Sequence, residues 1–169
     1  MTFARKLHIA IVLIAISINL HSQQERFKAV FIFNFTKYIE WSATDKQGDF
    51  VIGVIGTTAI VKDLEVIARK MKVGNQPITI KQFRTVDEVE RCHLLYISPD
   101  RSNDLAKAVI KFSSRNTLII TDKNGMIKQG SGINFYSDEG EVKFEISKNN
   151  IEKNGLKLNP TLLLLGKSS

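Results

Sequence analysis

The sequence predicts a single α/β domain with a mixed, mostly parallel sheet, helices on both of its faces and a C-terminal antiparallel hairpin. Apolar runs too short for typical helices alternate along the chain with segments in which apolar residues recur every three or four positions. This alternation is typical of βαβ units, which build parallel sheets covered by helices. In the last third of the chain, two strand-like runs flank the acidic segment Asp138–Glu141 and predict the hairpin.

The chain begins with the pattern of a secretory signal peptide. Arg5-Lys6 precedes an apolar run over residues 7–20, which is shorter than the roughly 20 apolar residues of a membrane-spanning helix. Cleavage after Ser22 is the favoured site, and an uncleaved anchor is the alternative because the residue three positions before this site is not small. We therefore expect residues 1–22 to direct export and residues 23–169 to fold as one domain outside the cytoplasm.

The first helix is predicted over Gln24–Trp41. Phe27, Phe31 and Phe35 recur at four-residue spacing, and the neighbouring apolar positions widen them into one apolar face. The opposite side carries polar residues, which include Asn34 and Lys37. Such a helix is expected to bury its apolar face against the sheet.

The next elements follow from apolar runs and turn residues. Phe50–Ile55 is a continuous run rich in β-branched residues and predicts a buried strand. Thr57 or Thr58 is expected to cap a second helix that extends to Met71. The further predicted strands are Ile78–Phe83, His93–Ser98 and Thr117–Thr121, and the further helices are Val86–Glu90 and Asp104–Phe112.

The hairpin is predicted from Ile133–Tyr136 and Val142–Ile146, with Gly140 supplying the positive φ of a tight turn. Asp138, Glu139 and Glu141 crowd this turn. A solvated turn is favoured over a Ca²⁺ site because the spacing fits no standard calcium loop. Ser147 is expected to cap a short helix through Lys153, after which the apolar run Leu162–Leu165 is expected to pack against the body.

Charge and cysteine content exclude several classes of function. The formal net charge is +7 with dispersed lysines, which favours a solvated basic surface over nucleic-acid binding. Cys92 is the only cysteine, so neither an intramolecular disulfide nor a cysteine-based metal cluster is available. We expect Cys92 to be buried, with a disulfide-linked dimer as the alternative.

Residues suited to catalysis are scarce after the leader. His93 is the only histidine beyond residue 22, which excludes a multi-histidine metal site. Cys92 and His93 are adjacent in a predicted strand and therefore point to opposite faces, which disfavours a Cys-His dyad. We expect no catalytic site, no metal and no cofactor, and a hydrolase that uses His93 is the least favoured alternative.

A small-molecule site is the alternative that the fold class itself suggests. Open α/β sheets bind ligands in crevices at the carboxyl ends of their parallel strands. Gly56 and Thr57 follow one predicted strand and Ser98 ends another, so these three residues are candidate ligand contacts. An ordinary βα turn is favoured over a phosphate cradle because the segment lacks the full glycine spacing and the lysine of a phosphate loop.

Four segments, taken in order, carry a resemblance to a known family. Lys28–Trp41, Cys92–Ser98, Gly130–Phe135 and Val142–Ile146 resemble the YfiR-like periplasmic proteins, and Gly155–Leu158 continues the match. The resemblance implies a small exported α/β protein without catalytic activity. The resemblance also implies a role in repression. The best understood relative is a periplasmic repressor, which holds a membrane-bound diguanylate cyclase inactive and releases it under envelope stress, thereby raising cyclic di-GMP.

The chain also departs from this family. Family members often pair cysteines into disulfides, whereas Cys92 has no second cysteine to pair with. Ser42 stands where a proline commonly follows the Trp41 block. A redox-gated mechanism is therefore not expected for this chain.

The resemblance also implies where a partner would bind. Phe135, Glu145 and Ile151 belong to the region expected to matter for repression, although core packing is an equal alternative for Phe135 and Ile151. We expect the contact surface to combine the hairpin with the exposed side of the first helix at Asn34, Lys37 and Trp41.

Together these observations predict a non-enzymatic periplasmic regulator that binds and represses a membrane-bound signalling protein. The resemblance points to a diguanylate cyclase or a sensor kinase as this partner. Homodimerisation is left open, and nucleic acid is not an expected partner. A periplasmic small-molecule binding module is the alternative function.

Overall fold

The computed structural model describes residues 22–168, so the predicted signal peptide lies outside these residues apart from Ser22. Helix α1 covers residues 22–35 and ends earlier than predicted. The hydroxyl of Thr36 donates to the carbonyl of Phe33 at 2.6 Å, and the chain then turns into the short strand β1, Ile39–Glu40. β1 pairs antiparallel with β9, Lys157–Leu158, apart from the main sheet.

The main sheet has eight strands and is mostly parallel, as predicted. Its parallel strands are β2 (Phe50–Ile55), β4 (Gln76–Phe83), β5 (Leu94–Ile97), β6 (Leu118–Thr121) and β7 (Ile133–Asp138). They lie in the order β7-β6-β5-β2-β4. Because the chain passes from β2 to β4 on one side and then to β5 on the other, the sheet has a topological switch point between β2 and β5.

The edges of the sheet are antiparallel or short. Strand β8, Glu141–Ile146, pairs antiparallel with β7 and forms the predicted hairpin. Its turn places Glu139 at φ 51° and Gly140 at φ 83°, the conformation of a tight hairpin turn. The two-residue strands β3, Lys72–Val73, and β10, Lys167–Ser168, complete the two edges.

Helices cover both faces of the sheet. Helices α1 and α2, Ile60–Ala68, pack on the face that holds the larger core, while α3, Leu105–Lys111, packs with the smaller core on the opposite face. Helix α4 spans Lys148–Lys153 and is capped as predicted, since the hydroxyl of Ser147 accepts from the N–H of Asn150 at 3.3 Å. The predicted helix Val86–Glu90 is only a 3-10 turn.

Four phenylalanine rings join α1 to the hairpin. Phe31 and Phe35 of α1 lie 5.3 and 4.9 Å, centroid to centroid, from Phe144 of β8. Phe135 of β7 completes the cluster at 5.9 Å from Phe35. Aromatic pairs at these separations add stability beyond their buried area, so the cluster stabilises the packing of α1 against the hairpin.

Candidate partner-binding groove

An apolar groove opens between the first turns of α1 and the tip of the hairpin. Its volume is about 380 Å³, and its lining residues are Gln23, Gln24, Phe27, Phe31, Gly140, Glu141 and Val142. Phe27 is 51% exposed, although phenylalanine is normally among the more buried residue types. The groove therefore presents apolar surface that no other segment of residues 22–168 covers.

The walls of this groove are held in place from below. Phe31 forms the floor and is itself supported by the rings of Phe144 and Phe135, the second at 6.3 Å. Across the mouth, the side-chain amide of Gln24 donates to the carbonyl of Gly140 at 3.2 Å. These contacts fix the distance between helix and hairpin without filling the space between them.

The hairpin side of the groove is acidic. Glu139 and Glu141 are exposed, and within residues 22–168 neither takes part in an ion pair. Asp138 is bound by Lys143 at 2.6 Å, and this contact raises the pKa of the lysine. Within the described part of the chain no cluster of three or more side chains that could hold a metal ion occurs.

Two of the predicted contact residues lie at the C-terminal end of α1, Asn34 in its last turn and Lys37 two residues beyond it. The ammonium of Lys37 donates to the side-chain oxygen of Asn34 at 2.8 Å and lies 5.0 Å from the centre of the Phe33 ring. Lys37 is exposed and Asn34 is half-buried. Both are open to solvent, but they are separated along α1 from the groove at Phe27.

The exposed placement predicted for Trp41 is wrong. Trp41 follows the helix instead of belonging to it, and only 5% of its surface is exposed. Its ring packs edge-on against Phe50 at 4.9 Å, and its Nε1–H donates to the carbonyl of His93 at 3.2 Å. Trp41 is therefore a core residue beside the amino ends of β2 and β5, where Phe50 and His93 lie.

Phe135 and Ile151 are core residues, each with 0% exposure. Phe135 lies inside the aromatic cluster, and Ile151 packs so closely on Gly132 that a Cβ there would lie 2.9 Å from its Cγ1. Of the two interpretations considered for these residues, the structure matches core packing. Any effect on a partner would have to act through the position of the hairpin and α4.

Glu145 is half-buried and belongs to an internal polar network. Its Oε1 accepts from the side-chain amide of Asn134 at 3.0 Å, and the Oδ1 of Asn134 accepts from the hydroxyl of Thr121 at 2.7 Å. Asn134 is fully buried. Glu145 therefore satisfies a buried amide across the hairpin in addition to facing solvent.

The predicted ligand residues converge at the switch point. The hydroxyl of Ser98 donates to the carbonyl of Ile55 at 2.9 Å, next to Gly56, whose φ of 104° favours glycine. The N–H of Thr57 donates to the carboxylate of Asp100 at 3.4 Å. Because a carboxylate of the protein already occupies the start of this turn, the turn is not free to hold an anion.

A cleft of about 340 Å³ lies beside this turn, between α1 and the carboxyl ends of β2, β5 and β6. Lys28 of α1 bridges two carboxylates in it, at 2.8 Å from Glu25 and 2.5 Å from Asp122. Burial alone would lower the pKa of Lys28, but the hydrogen bonds and charges of these two carboxylates raise it above its ordinary value. The Tyr96 hydroxyl donates to Asp122 at 3.0 Å.

Cys92 and His93 are occupied in structural roles. Burial raises the pKa of the Cys92 thiol to about 12. The Nδ1 of His93 accepts from the N–H of Val51 at 3.0 Å, and its Nε2 lies 2.8 Å from the carbonyl of Asp45. Burial lowers the pKa of His93, which favours the neutral ring with its proton on Nε2. Neither group is placed to act as a nucleophile or a general base.

The sequence predicts Phe27 on the buried apolar face of the first helix, whereas the structure leaves it exposed in the groove. The signal that distinguishes it is the width of the apolar stripe, because Phe27, Val30 and Phe31 cover more of the helix surface than one packing face needs. Val30 is accordingly 43% exposed. An over-wide apolar stripe at a helix start is thus the pattern that would have pointed to this surface.

None of the helices within residues 22–168 has the length and apolar character that a membrane crossing needs.

Comparison with known proteins assigns the chain to a family. A search of curated proteins returned no match to this chain. The model of the YfiR/HmsC-like family matches residues 25–167, which include the hairpin, the cleft and the groove apart from Gln23 and Gln24. This family is known for regulatory proteins of the periplasm that act on diguanylate cyclases and are in general not catalytic. The chain belongs to the YfiR/HmsC-like family.

Proposed function

We propose that this protein is a periplasmic regulator that binds a membrane-bound signalling protein and represses it. A diguanylate cyclase is the first candidate for this partner, and a sensor kinase is the second. The single observation that supports the proposal most is the open apolar groove between α1 and the hairpin, in a chain of a regulatory family. Exposed aromatic anchors contribute much of the energy of protein interfaces.

The buried histidine and cysteine support a role in binding over a role in catalysis. Burial raises the pKa of Cys92 and lowers that of His93, and both ring nitrogens of His93 face backbone groups. A nucleophile or general base needs the opposite arrangement, with a reactive atom open to substrate. Binding needs only a shaped surface, which the groove provides.

The test is affinity capture of the tagged protein from detergent-solubilised envelopes of its own host, together with cyclic di-GMP measurements after deletion of its gene. We expect an inner-membrane cyclase or kinase among the captured proteins, and a rise in cyclic di-GMP or kinase output on deletion. A capture without any signalling protein, combined with unchanged cyclic di-GMP and kinase output, would contradict the proposal.

Glu145 offers a matched pair of variants for the same capture. Glu145→Gln keeps an oxygen that accepts from Asn134, whereas Glu145→Lys removes the acceptor and reverses the charge. If Glu145 contacts the partner through its charge, both variants weaken capture. If it acts only by satisfying Asn134, Glu145→Gln behaves like the native protein and only Glu145→Lys loses stability, by about 1–3 kcal/mol.

Binding of a small molecule is the second candidate function. The observation that favours it is the cleft of about 340 Å³ at the switch point, which Thr57 lines and which lies next to the turn of Gly56 and Ser98. Open α/β sheets bind ligands at such points. A thermal-shift screen of periplasmic metabolites tests it, because a ligand at a hundred times its Kd adds about 2.7 kcal/mol of stability. The absence of a shift across the screen would remove this candidate.

A further inference from the structure

The shape of the groove and the side chains that line it indicate what kind of segment it binds. Phe27 lines the groove and is 51% exposed, and Val30, one helical turn further along α1, extends the exposed apolar surface of the helix at 43% exposure. Phe31 lies behind them as a floor supported by Phe144. A volume of about 380 Å³ with these walls accommodates the apolar side chains of a short docking segment and is open along one side.

The charge of the rim is opposite to that of the chain as a whole. The formal net charge is +7, yet the hairpin turn beside the groove concentrates three carboxylates against the single ammonium of Lys143. Of these three carboxylates, those of Glu139 and Glu141 take part in no ion pair within residues 22–168. They project from a turn that positive φ values fix at Glu139 and Gly140. A segment that docks here meets negative charge at a defined place.

We infer that the groove receives an amphipathic segment of the partner that combines apolar anchors with a neighbouring lysine or arginine. The apolar side chains of this segment insert between Phe27 and Val142, and its basic residue pairs with Glu139 and Glu141. Charge complementarity of this kind sets the orientation of a docked segment and rejects segments of the wrong sign. The inference rests on the proposed function, since it specifies which part of a partner the regulator binds.

The experiment uses the processed protein purified from periplasmic extract and two labelled peptides. Each peptide has about 14 residues, roughly four helical turns. The first is made of leucine, alanine and lysine with the leucines on one face, and the second replaces every lysine by glutamate. Fluorescence anisotropy at low ionic strength measures both affinities, because salt screens exposed charges.

The lysine peptide is expected to bind at least about tenfold more tightly than the glutamate peptide. Phe27→Ser is expected to weaken the lysine peptide by about tenfold or more, whereas Ile110→Ser is the matched control, since Ile110 is 79% exposed on the opposite face of the sheet. The double variant Glu139→Lys/Glu141→Lys is expected to reverse the preference between the peptides. All variants are first checked for native circular dichroism.

Equal binding of the two peptides, or unchanged binding by Phe27→Ser, would overturn the inference. A native dimer that Phe27→Ser converts to monomers in light scattering would also overturn it, because a second copy, with its exposed Arg26, would then be the occupant. Envelope capture keeps this outcome separate from the proposed function. If the Phe27→Ser variant still captures the signalling protein, the inference about the groove is wrong and the proposed regulatory function is kept. If the native protein captures no signalling protein, the proposed function itself fails.

Discussion

Lys28 and Asp122 are 94 residues apart in the sequence, and their side chains form an ion pair of 2.5 Å that ties α1 to the carboxyl end of β6. Both side chains are only 11% exposed. Glu25 accepts from the same ammonium at 2.8 Å and from the Thr58 hydroxyl at 2.9 Å. α1 thus has an inner side that is fixed by charge at the cleft and an outer side that opens the groove.

Lys28→Met is expected to destabilise the protein by about 3–5 kcal/mol, because it leaves two carboxylates facing each other without their buried cation. The double variant Lys28→Met/Asp122→Asn is expected to recover part of this loss, since it removes one of the uncompensated charges while keeping an acceptor for Tyr96. Urea unfolding measures all three free energies. Lys37→Met on the exposed side is the control, and a similar loss in that variant would contradict the role given to Lys28.

Gly56→Ala is expected to destabilise the protein by about 1–3 kcal/mol. Its φ of 104° disfavours any side chain, and a Cβ would lie 1.9 Å from the hydroxyl of Ser98. Gly56→Ala/Ser98→Ala removes the nearest of the atoms that this Cβ would meet, so urea unfolding should give less than the sum of the two single losses. Simple additivity would show that the contact with Ser98 does not set the cost, which then comes from backbone strain and from the contacts with Asp100 and Arg101.

Stability is expected to fall as pH drops below 6.5, because burial holds the pKa of His93 below this ordinary value. The unfolded chain then binds a proton at His93 that the folded protein excludes, so the stabilisation is present above pH 6.5 and is lost as pH falls through the folded pKa. Chemical unfolding at a series of pH values measures this slope. His93→Gln should flatten it, at a cost of about 1–3 kcal/mol at neutral pH from the unpaired N–H of Val51.

The native Cys92 thiol is expected not to react with Ellman's reagent at neutral pH. It is 2% exposed, and burial raises its pKa to about 12, so neither access nor thiolate is available. One equivalent should react after unfolding in guanidinium chloride. A disulfide-linked dimer on a non-reducing gel of the native protein would contradict this burial and would restore the covalent dimer as an explanation.

Much of the fold was predictable from local pattern. The short apolar runs became β2, β5 and β6, and the acidic turn formed the hairpin with Gly140 at positive φ. Ser147 caps α4 as its residue type and position suggest. These features depend on neighbours within a few residues, because periodicity, turn conformation and capping are local properties.

The candidate site was less predictable. Leu162 is buried as expected, but Leu164 is 85% exposed, although both belong to one apolar run. Asn34 and Lys37 are open to solvent, whereas Trp41 is buried by Phe50 and His93. The difference between these residues is which distant segment covers them, and no local pattern carries that information.

The sequence by itself determined the α/β class, the order of strands and helices, the hairpin and the placement of Gly56, Thr57 and Ser98 at the ends of predicted strands. Only the tertiary structure decided that Lys28 bridges Glu25 and Asp122, that two-residue strands complete the sheet edges, and that Phe27 stays open beside the hairpin. The physical reason is that periodicity records which face of an element is apolar, whereas the partner that covers or leaves that face depends on contacts between residues far apart in the chain.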